Sequence, residues 1–166
     1  MSTTLTIHTA APIGRINPRV YGHFAEHLAR CCYDGLRPDP SIPGLEKQNG
    51  FRMDVVRALQ ALPVPLLRWP GGCYADHYHW RDGIGPVDQR TRRLGMSCGL
   101  LVEDDNAIGT HEFLWLCQAI GAEAYLAGNV GSGTVQELCD WLEYCNTPLN
   151  TSLGALRTAN GSPQPF

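Results

Sequence analysis

Short apolar runs alternating with stretches of helical period constrain this chain more than anything else in it. "VPLLRW" (64–69) and "AEAYLAGN" (122–129) have the pattern of strands buried on both faces of a parallel sheet. "RVYGHFAEHL" (19–28) is a third extended candidate, its polar residues crowded at the C-terminal end. Between and after these runs, "FRMDVVRALQAL" (51–62) places Val55, Leu59 and Leu62 on one helical face. "THEFLWLCQAIG" (110–121) does the same with Phe113, Leu116, Cys117 and Ile120. "TVQELCDWLEYC" (134–145) opens on Thr134 with Glu137 three residues on, a capping box, and predicts a buried stripe of Val135, Leu138, Leu142 and Cys145. Strand–helix alternation of this kind specifies parallel strands joined by crossovers, an α/β fold. "TSLGALRTANG" (151–161) adds one more short helix ending at Asn160–Gly161. "TLTIHT" (4–9) alternates with period two, a half-buried strand outside the series. Residues 33–50 are polar and Pro-rich and predict a long loop, and a second long loop separates Trp69 from Thr110.

Composition removes several functions. The chain has 166 residues, 43% hydrophobic and 17% charged, values of a globular protein with a core. Net charge is −3, and the longest basic block is "RTRR" (90–93), so nucleic acid and anionic membranes have no electrostatic footprint here. No apolar run approaches the roughly 18 residues that span a bilayer. "MSTTLTIHTAAPIGR" lacks the charged start and apolar core of a signal peptide. Seven cysteines with no CxxC predict reduced thiols in the cytoplasm, most of them small buried hydrophobes.

All three predicted parallel strands end in polar or special residues: "GHFAEH" (22–27), "RWPGGC" (68–73) and "GNVGSG" (128–133). In α/β folds ligands bind beyond the C-terminal ends of the strands, so these ends predict one shared rim. Pro70 suits a chain leaving a strand, Gly71 and Gly72 allow close backbone approach, and Cys73 is delivered at the rim. Three chemistries compete there. His23 and His27 are four apart and Asp76, His77 and His79 cluster, which invites a metal. A four-residue spacing faces one side only on a helix, however, and 19–28 is extended, so no metal and no cofactor are expected. "GNVGSG" invites a phosphate loop, but its glycines do not fit G-x-G-x-x-G and no Lys follows; a tight turn is the better reading. Glu26 and Asp76 end different segments and offer a carboxylate pair, which retaining glycosidases need about 5 Å apart.

"YGHFAEHL", "LLRWPGGCYADHYHWRDGIGP", "GTHEFLWLCQAIGAEAYLAGNVGSGT" and "DWLEYCN" together resemble the N-terminal part of glycoside hydrolase family 51, the intracellular α-L-arabinofuranosidases. The likeness runs from about Ile13 to Gly161, in the family's order. It implies a (β/α)8 TIM barrel of which this chain supplies about three βα units. Residues 1–12 would then be a strand of a β-sandwich domain and residues 13–166 the N-terminal part of an incomplete catalytic barrel. The implied activity is retaining hydrolysis of terminal α-L-arabinofuranosyl groups, with arabinofuranosyl oligosaccharides as substrates and homo-oligomers as the full-length assembly. Glu26 matches a glutamate that hydrogen-bonds the sugar, Arg68 and Cys73 match residues lining the same subsite, and Asn129 lies beside it. The family's acid/base and nucleophile glutamates would follow residue 166, so the Glu26–Asp76 pair is not the catalytic dyad and the chain alone is expected to be inactive. The alternatives are a non-catalytic sugar-binding or scaffold module and a small nucleotide-binding protein. Two departures stand out: "MSCG" (96–99) lacks the tryptophan that bacterial relatives often carry near the position of Cys98, which bears on aglycone preference, and Ala29 stands where glycine is common.

Overall fold

In the computed structural model, which describes residues 2–39, 41–148 and 150–166, a short 3-10 turn (Pro18–Tyr21) leads into β1 (His23–Phe24). A small hairpin of β2 (Lys47–Gln48) and β3 (Phe51–Arg52) precedes α1 (Met53–Ala61) and β4 (Leu66–Trp69). Three 3-10 turns and a second hairpin, β5 (Arg93–Ser97) and β6 (Leu100–Asp104), lead to α2 (Thr110–Ile120) and β7 (Glu123–Leu126). The chain continues through α3 (Val135–Asn146) and α4 (Ser152–Ala159).

Strands β1, β4 and β7 form one parallel sheet in that spatial order. The α/β alternation predicted from the apolar runs is therefore realised, with β4 as the central strand. Leu67 and Trp69 of β4 are buried against the helices, and the Trp69 indole stacks on Phe113 of α2 at 5.1 Å. The opposite face carries a registered row across all three strands: Phe24, Arg68 and Tyr125. Trp80, Trp141 and Tyr144 extend the core beneath α3. No helix among the described residues is long and apolar enough to cross a membrane.

The α2 stripe is as predicted, and Gly121 ends that helix in the left-handed conformation. The α4 helix ends at Asn160–Gly161, also as predicted. Other expectations need correction. Residues 4–9 pair with no strand among the described residues, and Leu5 and Ile7 are 84% and 75% exposed. Alternation specifies a strand only where a neighbouring strand takes up its backbone groups, and none does here. In α1 the buried side is Val56, flanked by Met53 and Leu59, while Leu62 lies past the helix end and is exposed. In α3 the aromatic residues decide the orientation: Trp141, Tyr144 and Cys145 are buried, whereas Val135 and Leu142 face outward. Aromatic side chains bury far more apolar area than Val or Leu, so the helix turns them inward. Strand β7 is an edge strand and largely exposed rather than buried on both faces. Only the His23–Phe24 dipeptide of 19–28 is strand; the second predicted long loop contains a hairpin, and the first runs into one whose strand β3 takes the first two residues of the predicted 51–62 helix. Three cysteines (32, 117 and 145) are buried and the other four exposed, so most are not buried hydrophobes.

Candidate functional site

The ends of β1 and β4 meet because their ladder continues one step past the paired residues, with Ala25 N–H donating to Arg68 O at 2.8 Å. Glu26 follows directly and is 7% exposed. Its Oε1 accepts from the Tyr74 backbone N–H at 2.8 Å and from the Ser97 hydroxyl at 3.1 Å. The two donors come from segments far apart in sequence, the 3-10 turn Tyr74–His77 and the end of β5. Gly71 makes this approach possible: its φ is 153°, and a Cβ there would stand 2.6 Å from Glu26 Cγ. Glu26 Oε2, Arg68 and the Phe24 ring converge around Gly72, each within about 4 Å of where a side chain would begin.

Arg68 donates to Gly71 O at 3.1 Å, and its guanidinium lies 4.7 Å from the Phe24 ring and 5.7 Å from the Tyr125 ring. Its registered neighbours on both flanking strands thus hold it by cation–π contact. Cys73 is exposed at the start of the 3-10 turn, and its Sγ lies 3.8 Å from that of Cys98, which is also exposed. Cys98 sits with Gly99 in the two-residue turn between β5 and β6, both at positive φ.

Beneath Glu26 is a buried polar cluster. Asp104, at the end of β6, is fully buried and accepts from the Tyr33 hydroxyl (2.5 Å), the Tyr74 hydroxyl (2.8 Å) and the Asn106 N–H (2.7 Å). Burial, together with this carboxylate, pushes both tyrosine hydroxyls well above their usual range. The His27 ring stacks on Tyr74 at 4.5 Å and meets Tyr33 edge-on. Its Nδ1 is 3.5 Å from Asp104 Oδ2, too long for a hydrogen bond, and neither ring nitrogen makes one. Burial holds its pKa below the usual histidine value, against the opposing pull of Asp104, Asp105 and Glu26.

That direction gives a pH prediction. The unfolded chain takes up a proton at His27 below about pH 6.5 while the folded chain does not, so stability falls as pH is lowered through that value. His111, also lowered chiefly by burial, adds in the same sense. Each such histidine contributes a slope of up to about 1.4 kcal/mol per pH unit. Urea midpoints at pH 7.5 and 5.5 check this: the loss should be smaller in His27→Gln, and an unchanged loss would assign it elsewhere.

Asn129 follows the β7 end, and its amide organises its own loop. Oδ1 accepts from the N–H groups of Gly131, Ser132 and Gly133 at 2.9–3.1 Å, and Nδ2 donates to Tyr78 O and Ser132 Oγ. The amides that a phosphate would need are therefore engaged, and "GNVGSG" is a tight turn. Asp76 packs on this same loop, with its backbone O accepting from Ser132. Asp76 and Glu26 take different partners, Asp76 lying on the 129–133 loop and Glu26 on Tyr74 and Ser97. His79 is bonded to Glu137 on α3 at 2.9 Å, and His27 lies in the Asp104 cluster. Thr134 caps α3 through the Glu137 N–H.

Glu26, Arg68 and Cys73 are thus brought together, as the strand ends predicted, with Asn129 on the next loop. Tyr33, Tyr74, Ser97 and Asp104 escaped the sequence reading; the two-residue "CG" between extended stretches was the available signal for the hairpin that carries two of them.

A parallel α/β sheet with a buried carboxylate at its C-terminal rim, beside an arginine held by aromatic rings, has its polar groups where α/β folds bind small molecules. Residues 58–166 match the family model described as the alpha-L-arabinofuranosidase 1 domain. The chain belongs to that family, in which its structural neighbours are classed as glycoside hydrolase family 51. It is 48% identical over 162 residues to an intracellular exo-alpha-L-arabinofuranosidase of Bacteroides ovatus, covering 96% of this chain and 31% of that protein. It is 44% identical to alpha-L-arabinofuranosidase C of Emericella nidulans, covering 98% of this chain and 31% of the relative. Among solved structures, the thermostable GH51 alpha-L-arabinofuranosidase of Thermotoga petrophila aligns with a TM-score of 0.84 at 46% identity, over 91% of this chain and 31% of that one. The GH51 arabinofuranosidase of Xanthomonas axonopodis pv. citri gives 0.87 at 42%, over 95% and 32%. The chain spans about a third of the length of the relatives it matches.

Proposed function

We propose that this chain forms the sugar-binding rim of a retaining α-L-arabinofuranosidase acting on terminal arabinofuranosyl groups of oligosaccharides. Residues 13–166 then supply about three βα units of a (β/α)8 barrel, with Phe24, Arg68 and Tyr125 on its inner face, and residues 1–12 belong to a β-sandwich. The observation that carries the reading is Glu26: one oxygen is fixed by two donors, and the other is aimed at the space beside Arg68 and Gly72. A carboxylate held this way is a preorganised acceptor for a sugar hydroxyl, since its orientation is set before ligand arrives. Arg68, fixed by Phe24 and Tyr125, sets the geometry of the same subsite. Cys73 is small enough at the rim to let a furanose ring lie close, and Asn129 shapes the wall opposite through its loop. Glu26 is assigned to binding because the family resemblance matches it to a glutamate that hydrogen-bonds the sugar, and a carboxylate with one oxygen fixed by two donors suits that role.

The test joins this chain to the remaining portion of the Thermotoga petrophila relative. The chimera should release arabinose from an aryl α-L-arabinofuranoside, and Cys73 should react more slowly with a thiol reagent when L-arabinose is present. A folded chimera that hydrolyses only hexopyranosides would exclude the assignment.

A further inference from the structure

We propose that Cys73 and Cys98 are a dithiol modification site that closes to a disulfide by exchange with a low-molecular-weight disulfide such as oxidised glutathione. The inference does not depend on which sugar the rim binds. Both thiols are exposed, their sulfurs are 3.8 Å apart, and they lie on separate segments, the 3-10 turn after β4 and the β5–β6 turn. Bond formation needs the sulfurs at about 2.05 Å. The remaining approach falls to two side chains and to a hairpin tip, the most adjustable part of a hairpin.

Among the described residues no other two exposed cysteines on separate segments, Cys139 included, have a sulfur–sulfur contact. Cys117 and Cys145 are buried, and burial pushes each thiol up to about 12. Cys31 and Cys32 are adjacent, and neighbouring Cα atoms are about 3.8 Å apart, short of the roughly 4.4–6.8 Å that disulfides adopt. Cys31 is nonetheless a reactive thiol, lowered to about 6 by a hydrogen bond from Cys32. It should take up one glutathione and stop there, which makes it an internal control.

At the pair itself, the Cys98 S–H donates toward Cys73 Sγ, so the two sulfurs already face each other. The Cys73 thiolate attacks one sulfur of the small disulfide; that S–S bond breaks, and one thiolate leaves and takes a proton from solvent. Cys98 then loses its proton to solvent and attacks the Cys73 sulfur, displacing the second small thiolate. Two protein thiols are oxidised and one disulfide is reduced to two thiols, so atoms and electrons balance. The residues next to each cysteine, Tyr74 and Ser97, are the two that hold Glu26 Oε1. The closed bridge therefore ties together both donors of the Glu26 cradle.

The 166-residue chain is equilibrated with reduced and oxidised glutathione at stepped ratios, quenched by alkylation, and digested with trypsin and a Glu-specific protease. Peptide 69–81 carries Cys73 alone and peptide 94–103 carries Cys98 alone. The expected result is a 69–81/94–103 crosslinked pair that appears as the ratio becomes oxidising and disappears with dithiothreitol. Cys98→Ser should leave Cys73 as a stable glutathione mixed disulfide, at a yield several-fold above wild type. Separate mixed disulfides on Cys73 and Cys98 in the wild type, or free alkylation of both at ratios that modify Cys31, would overturn the proposal.

Discussion

Asp104→Ala should lower the unfolding free energy by about 3–5 kcal/mol, the largest loss expected from any single polar substitution in this chain. The carboxylate is fully buried and accepts from the Tyr33 hydroxyl, the Tyr74 hydroxyl and the Asn106 N–H. Each donor left unsatisfied in the interior costs about 1–3 kcal/mol. Relief from burying a charge offsets part of that sum, which keeps the total near the cost of breaking a buried ionic network. Asp104→Asn should lose only about 1–2 kcal/mol, because the hydroxyls can rotate to accept from the new amide. Chemical denaturation of the three proteins distinguishes the cases. Equal losses for Ala and Asn would mean that negative charge, rather than acceptor geometry, holds the cluster together.

The second large effect is on ligand and rests on the proposed subsite. In the chimera, Glu26→Gln should lower kcat/KM by about one to two decades, the equivalent of a charge-assisted hydrogen bond of roughly 1.5–3 kcal/mol. Gly71→Ala should produce a comparable loss without altering the carboxylate, because its Cβ would displace Glu26 Cγ and the residue would sit at a φ closed to side chains. Labelling by a mechanism-based inhibitor should survive Glu26→Gln. If labelling vanished while the protein stayed folded, Glu26 would be the nucleophile and its assignment to binding would fail.

That Glu26, Arg68 and Cys73 lie near one rim was legible because each stands where an apolar run ends, and α/β folds put their ligands there; their roles in a sugar subsite came only from the family resemblance. The same logic misplaced residues whose position is set by packing. Val135 and Leu142 have the right spacing for a buried stripe, yet Trp141 and Tyr144 hold the inner face of α3 because they bury more area. The β5–β6 hairpin was hidden more deeply. Its apolar residues Leu94, Met96, Leu100 and Leu101 face outward, while Gly95 and Ser97 face in. A hydropathy pattern points such a hairpin the wrong way round, and with it Ser97 and Asp104. Tyr33 lay in a stretch correctly predicted as mostly loop, where nothing local says that its hydroxyl reaches a carboxylate 71 residues away.

Those separations have a consequence for how the chain folds. The hydrogen bonds that join Glu26 to Ser97 and Tyr33 to Asp104 each span 71 positions, and Glu26 to Tyr74 spans 48. Closing a flexible loop of that length costs on the order of 4 kcal/mol of chain entropy, while one hydrogen bond to a carboxylate returns roughly 1.5–3 kcal/mol. No single contact in the cluster can form ahead of the others. The α1 and α2 helices, made of local contacts, can gain structure early, whereas the rim around Glu26 has high contact order and must wait for β1, β4 and the β5–β6 hairpin to dock. The rim is therefore expected to gain hydrogen-exchange protection during refolding only after α1 and α2 have done so.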